Sequence, residues 1–120
     1  MYGNNITTLT GHLGRDPELR WFESGKAKCQ FSIAVSTGKD KPSDWFDVVA
    51  WGQSAERAAD RLRKGSKVVI VGSLKQERWT DRDSGAQRSK VVVTAQSIEI
   101  IAKAESQQVA SDDTYEDLPF

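Results

Sequence analysis

Apolar and polar residues alternate through residues 27–35, where Ala27, Cys29, Phe31, Ile33 and Val35 interleave with Lys28, Gln30, Ser32 and Ala34. A period of two puts the first set on one side of a strand, so this segment predicts a half-buried strand with its apolar side inward. Residues 44–51 repeat the pattern: Phe46, Val48 and Ala50 share one side, and Trp45, Asp47, Val49 and Trp51 share the other. Before these lie a β-branched run at 6–13, closed by Gly14 and Asp16-Pro17, and a short extended piece at 19–22 that stops at Ser24-Gly25. Residues 37–43, polar and holding Gly38 and Pro42, predict a hairpin loop. Then the period changes. Ala55, Ala58, Ala59 and Leu62 fall at i, i+3, i+4 and i+7, the stripe of a short helix, with Ser54 placed to cap it and Gly65 to end it. Strand character returns at 67–79 and, after a turn-rich loop at 80–87, at 89–101, where Val91, Val93 and Ala95 share a side.

Five long strands with one helix between the third and fourth predict an all-β fold, a five-stranded Greek-key barrel of the OB type. An unrelated β-sandwich is the alternative, but it has no need of an amphipathic helix at that point. The barrel is expected to span residues 1–102, followed by a short flexible linker at 103–111 and an acidic tail at 112–120.

Charge sharpens this division. The 120 residues carry equal numbers of acidic and basic side chains, yet residues 1–102 hold 16 Lys and Arg against 12 Asp and Glu. Four acids in the last nine residues restore neutrality. A basic body with an acidic arm points to nucleic acid, or to an intramolecular mimic of it. Cys29 is the only cysteine and His12 the only histidine, so an intrachain disulfide and a four-cysteine zinc site are excluded. Cys29 reads as a buried thiol, and nothing near His12 supplies the orienting group of a catalytic pair. Asp44 and Asp47, three apart on a strand, point to opposite sides and cannot share a metal. No phosphate-cradling Gly-x-x-x-x-Gly-Lys-Ser/Thr loop is present. The chain therefore reads as a non-enzyme needing no cofactor. With no signal-like start and no apolar run of membrane-spanning length, it is expected in the cytoplasm, in a bacterium with the nucleoid or in the host cell if viral.

Four tryptophans in one small domain carry the remaining chemistry. Trp45 and Trp51 are six apart, so an unbroken strand puts both on its non-core side. Indoles on an outer face near cations suit single-stranded nucleic acid, whose unpaired bases expose their rings while the backbone keeps its charge. Candidate stacking residues are Trp45, Trp51, Trp79 and Trp21, although Trp21 alternates with Leu19 and packing is an open alternative for it. Candidate phosphate contacts are Lys28, Lys39, Lys41, Lys75, Arg78, Arg82 and Arg88. Taken singly, each indole is more readily explained by core or interface packing, and only Trp45 and Trp51 together, on the non-core side of one strand, reverse that.

Several segments resemble the bacterial single-stranded DNA-binding proteins in that family's order. They are Thr10-Gly11-His12-Leu13-Gly14-Arg15-Asp16-Pro17-Glu18, Trp45-Phe46-Asp47-Val48-Val49-Ala50-Trp51-Gly52, Leu62-Arg63-Lys64-Gly65-Ser66-Lys67-Val68, Arg78-Trp79-Thr80-Asp81 and Glu116-Asp117-Leu118-Pro119-Phe120. The resemblance implies an OB-fold homotetramer that wraps single-stranded DNA in replication, recombination and repair, with Trp45, Trp51 and Trp79 stacking on bases. It also implies that the tail, Tyr115, Glu116, Asp117, Leu118, Pro119 and Phe120, docks replication and repair proteins. The 36–43 loop is shorter than in many relatives and lacks a tryptophan some carry there. The linker is short too, so the tail is expected to compete for the DNA groove of its own barrel. The alternative function is an oligomeric OB-fold adaptor, or primosome-type protein, acting mainly through protein contacts.

Overall fold

The computed structural model describes residues 3–103; the linker and tail expected from the sequence lie outside the described residues, except Lys103. Six strands and one helix follow in the order β1 (Thr7–Leu13), β2 (Glu18–Trp21), β3 (Ala27–Val35), β4 (Asp44–Trp51), α1 (Gln53–Arg61), β5 (Lys67–Thr80) and β6 (Gln87–Ala102). The strands run β1-β5-β6-β4-β3-β2, and β1 also pairs with β3, which closes the ring. Closure occurs at His12↔Ala34 and Leu13↔Ile33. The β4–β6 contact is parallel and short, Val48↔Val93 and Val49↔Thr94. This is the OB-type barrel with its helix between β4 and β5, and β2 is a sixth, short strand on the edge of β3.

The core follows the alternation. Cys29, Phe31 and Ile33 of β3, Val48 and Ala50 of β4, Val68 and Ile70 of β5, and Val93 and Ala95 of β6 are all buried in one cluster. Ala55 and Ala58 of α1 lay their face on it, and Leu62 plugs the same cluster. Burial pushes the Cys29 thiol up to about 11, so it packs as a small apolar group and is a poor nucleophile.

Three local expectations need correction. The helix is capped not by Ser54 but by Gly52, whose carbonyl accepts from the N–H groups of Ala55 and Glu56 at 3.0 and 3.2 Å. Gly52 has φ 63 and ψ −135, a conformation closed to most side chains, and it turns the chain from β4 straight into the helix. That turn leaves Ser54 already inside the first helical turn. Gly65 does not end the helix either. The last helical residue is Arg61, because Leu62 swings to extended backbone (ψ 146) to drive its side chain into the core. Finally, the alternation in β4 puts Val49 on an open face, but it is buried, as is Val92 of the neighbouring strand. Both lie on the non-core side of the sheet, outside the main cluster.

Candidate nucleic-acid interface

Strand register decides which side chains share a surface, since directly paired residues point to the same side of a sheet. On the non-core side, β4 offers Trp45, Asp47, Val49 and Trp51. Their partners on β3 are Ala34, Ser32, Gln30 and Lys28, and beyond these lie Glu18 and Arg20 of β2. Val49 pairs with Thr94, which carries the same face onto β6 and β5 through Ser73, Lys75↔Val92, Glu77↔Lys90 and Trp79↔Arg88. Trp45, Trp51 and Trp79 therefore belong to one continuous sheet face, together with Lys28, Lys75 and Arg88. All three indoles are open to solvent, at 60, 36 and 47 % exposure.

Each end of this face has its own construction. Trp51 stacks on Phe22 with ring centroids 6.0 Å apart and planes 25° apart. The ammonium groups of Lys26 and Lys28 lie 4.7 and 5.3 Å from the Trp51 ring centroid, within cation–π range. A groove of about 380 Å³ lined by Glu18, Leu19, Arg20, Lys28 and Gln30 continues the surface towards β2. At the other end of β4, the Trp45 ring lies against Gly14, where any Cβ would overlap its six-membered ring. Lys39 and Lys41 are exposed in the β3–β4 loop, shortly before Trp45 in the chain. That loop is held by Thr37 Oγ1 donating to the Pro42 carbonyl at 2.8 Å.

The hairpin of β5 and β6 carries the third indole. Arg88, opposite Trp79, is paired with Asp81 at 3.3 Å. Arg82 is exposed in the turn beyond, where Asp81 accepts from the Asp83 N–H at 2.9 Å. Arg78 faces the other side of this hairpin, where its guanidinium donates to Gln76 at 2.6 Å. Trp21 is also set apart. It pairs with Ala27, whose side chain enters the core, so it projects from the side of the sheet opposite Trp51, at 56 % exposure. The structure thus gathers Trp45, Trp51, Trp79, Lys28, Lys75 and Arg88 on one face, places Lys39, Lys41 and Arg82 in loops at its ends, and leaves Trp21 and Arg78 off it.

The sequence reading missed Phe22, Lys26 and Lys90 on this surface, and it placed Asp47 on the face without its partner Lys90. Phe22 and Lys26 flank the Ser24-Gly25 turn, and the Phe22 N–H donates to the Lys26 carbonyl at 2.9 Å. Recognising that hairpin would have placed both beside Trp51. Lys90 and Asp47 meet only through the β4–β6 neighbourhood, which no local pattern signals.

Other chemistry is sparse. His12 is exposed, and partial burial and then the Lys67 ammonium hold it below its ordinary value. No group of three or more His, Cys, Asp or Glu side chains among the described residues is placed to hold a metal. Within them no helix is long and apolar enough to cross a membrane. The larger concavity, about 570 Å³ between α1 and the second half of β6, touches none of the tryptophans.

Comparison with known proteins finds one family across the barrel. The profile of the Single-strand binding protein family matches residues 4–101. Single-stranded DNA-binding protein 1 of Synechocystis sp. is 41 % identical over 114 residues, covering 92 % of this chain and 94 % of that protein. The single-stranded DNA-binding protein of Thermosynechococcus vestitus is 44 % identical over 101 residues, 83 % of this chain and 84 % of its own. That of Borreliella burgdorferi is 40 % identical over 104 residues, 82 % of this chain and 70 % of its own. A closed OB-type barrel and matches spanning nearly all of it place this chain in the single-strand binding protein family.

Proposed function

We propose that this chain binds single-stranded DNA without strong sequence preference, protecting exposed strands during replication, recombination and repair. The observation that carries the reading is the common face of Trp45, Trp51 and Trp79 with Lys28, Lys75 and Arg88. Open indoles give sequence-tolerant stacking at about 1–3 kcal/mol per base, and the cations beside them follow the phosphates. Binding is the whole activity: the protein holds strands open and needs no cofactor. Residues 1–102 act as the DNA-binding unit, residues 103–111 as linker, and the acidic tail through Leu118-Pro119-Phe120 as the handle for replication and repair proteins.

The chain acts as a homotetramer in this reading. Leu74 and Val91 stand exposed on the hairpin face opposite Trp79, and Asn5 joins that region by donating to the Leu74 carbonyl and accepting from its N–H, both at 2.8 Å. Exposed apolar groups along a sheet suit a self-complementary contact. The adaptor alternative is favoured by no comparable observation.

Alanine variants test the reading. Trp45→Ala, Trp51→Ala and Trp79→Ala are each expected to weaken oligo(dT) binding roughly 5- to 150-fold, the equivalent of one lost stacking partner. Trp21→Ala is expected to change it little. Equal effects of Trp21 and Trp51 would break the proposed assignment of the face.

A further inference from the structure

In the middle of a face otherwise suited to phosphates stands a carboxylate. Asp47 lies on β4 between Trp45 and Trp51, about 7 Å along the strand from the first and about 13 Å from the second at the usual rise. Both its oxygens are engaged. Ser32 Oγ, from the paired residue on β3, donates to Oδ1 at 2.9 Å. Lys90 Nζ of β6 lies 3.7 Å from Oδ2. Lys90 is also the cross-strand partner of Glu77, so two carboxylates share its face. By contrast Lys26 and Lys28, at the Trp51 end, have their ammonium groups against an indole ring.

We propose that Asp47 is a built-in counter-ion: it occupies the place a DNA phosphate would take at Lys90 and so keeps that cation out of the phosphate track. The inference rests on the single-stranded DNA reading above. A phosphate that approaches Lys90 meets the Asp47 charge at the same time, and it must separate an existing ion pair to gain a new one. The pair itself is half open to solvent, at 41 and 45 % side-chain exposure, and adds little to stability. Its effect falls on the ligand. Lys90 releases no condensed counter-ion when DNA arrives, so the protein binds less tightly at low salt and loses less affinity as salt rises. The Ser32 hydrogen bond fixes the carboxylate on this face, where a free surface acid would rotate away. Bound DNA is therefore held by stacking and charge together at the two ends of β4, around Trp51 and around Trp45 with the Lys39–Lys41 loop, while charge is withheld at its centre.

The test is oligo(dT) titration of the full chain carrying Asp47→Asn, Lys90→Gln, or both, across a salt series, with thermal unfolding as a control for folding. The amide keeps the shape of the carboxylate and can still accept from Ser32. Asp47→Asn is expected to tighten binding roughly three- to tenfold at about 50 mM salt and to steepen the log–log salt slope by about 0.7, as one added phosphate contact does on a single strand. Lys90→Gln is expected to cost more when combined with Asp47→Asn than in the wild type, abolishing the gain. Unchanged or weaker binding by Asp47→Asn at low salt overturns the proposal, as does an equal cost of Lys90→Gln in both backgrounds. No binding by the wild type under any condition overturns the single-stranded DNA reading, and this inference with it.

Discussion

Trp45 owes its position to a neighbour without a side chain. Its ring covers Gly14 so closely that a methyl group there must push it aside. The ring is mostly exposed and free to swing, so the displacement disturbs the surface more than the core. Gly14→Ala is therefore expected to weaken oligo(dT) binding several-fold while moving the urea midpoint little; unchanged affinity contradicts the placement of Trp45. At this scale the alternation in β4 was legible, because six residues of unbroken strand fix a shared side by parity alone. The side of Trp21 was not, because it depends on the pairing Trp21↔Ala27 between β2 and its neighbour. The Asp47–Lys90 pair was illegible for a stronger reason. It joins residues far apart in the chain across a parallel contact that appears only when the barrel closes.

The helix shows how tertiary packing overrides end signals. Its apolar stripe, Ala55, Ala58, Ala59 and Leu62, was readable from spacing; Ala55, Ala58 and Leu62 are buried, and Ala59 packs partly buried against the same cluster. Its ends were not readable from Ser54 and Gly65, since β4 delivers the chain through Gly52 and the core claims Leu62 one residue past the helix. Leu62 is thus a plug fixed to a short lever. Leu62→Ala, which leaves a cavity in the main cluster, is expected to cost about 2–5 kcal/mol of unfolding free energy in urea denaturation. A loss below about 1 kcal/mol contradicts the role of α1 as a core element. The last strand was legible only in part. Val91, Val93 and Ala95 do share a side, but Val91 is exposed because the β5–β6 hairpin runs on past the core.

Across the whole molecule, strand order turns a local pattern into a surface. Register carries one side of β4 through β6 to the end of β5, so indoles at residues 45, 51 and 79 become parts of one face. The excess of basic residues in 1–102 suits that face to a polyanion, and Asp47 marks where charge is withheld. The central claim is that this face takes unpaired bases, and the most direct measurement is intrinsic tryptophan fluorescence of the full chain titrated with poly(dT) and with duplex DNA at two salt concentrations. Stacking on open indoles predicts strong quenching by poly(dT), weak quenching by the duplex, and an affinity that falls as salt rises. Equal quenching by both nucleic acids, or none by poly(dT) at low salt, contradicts the account.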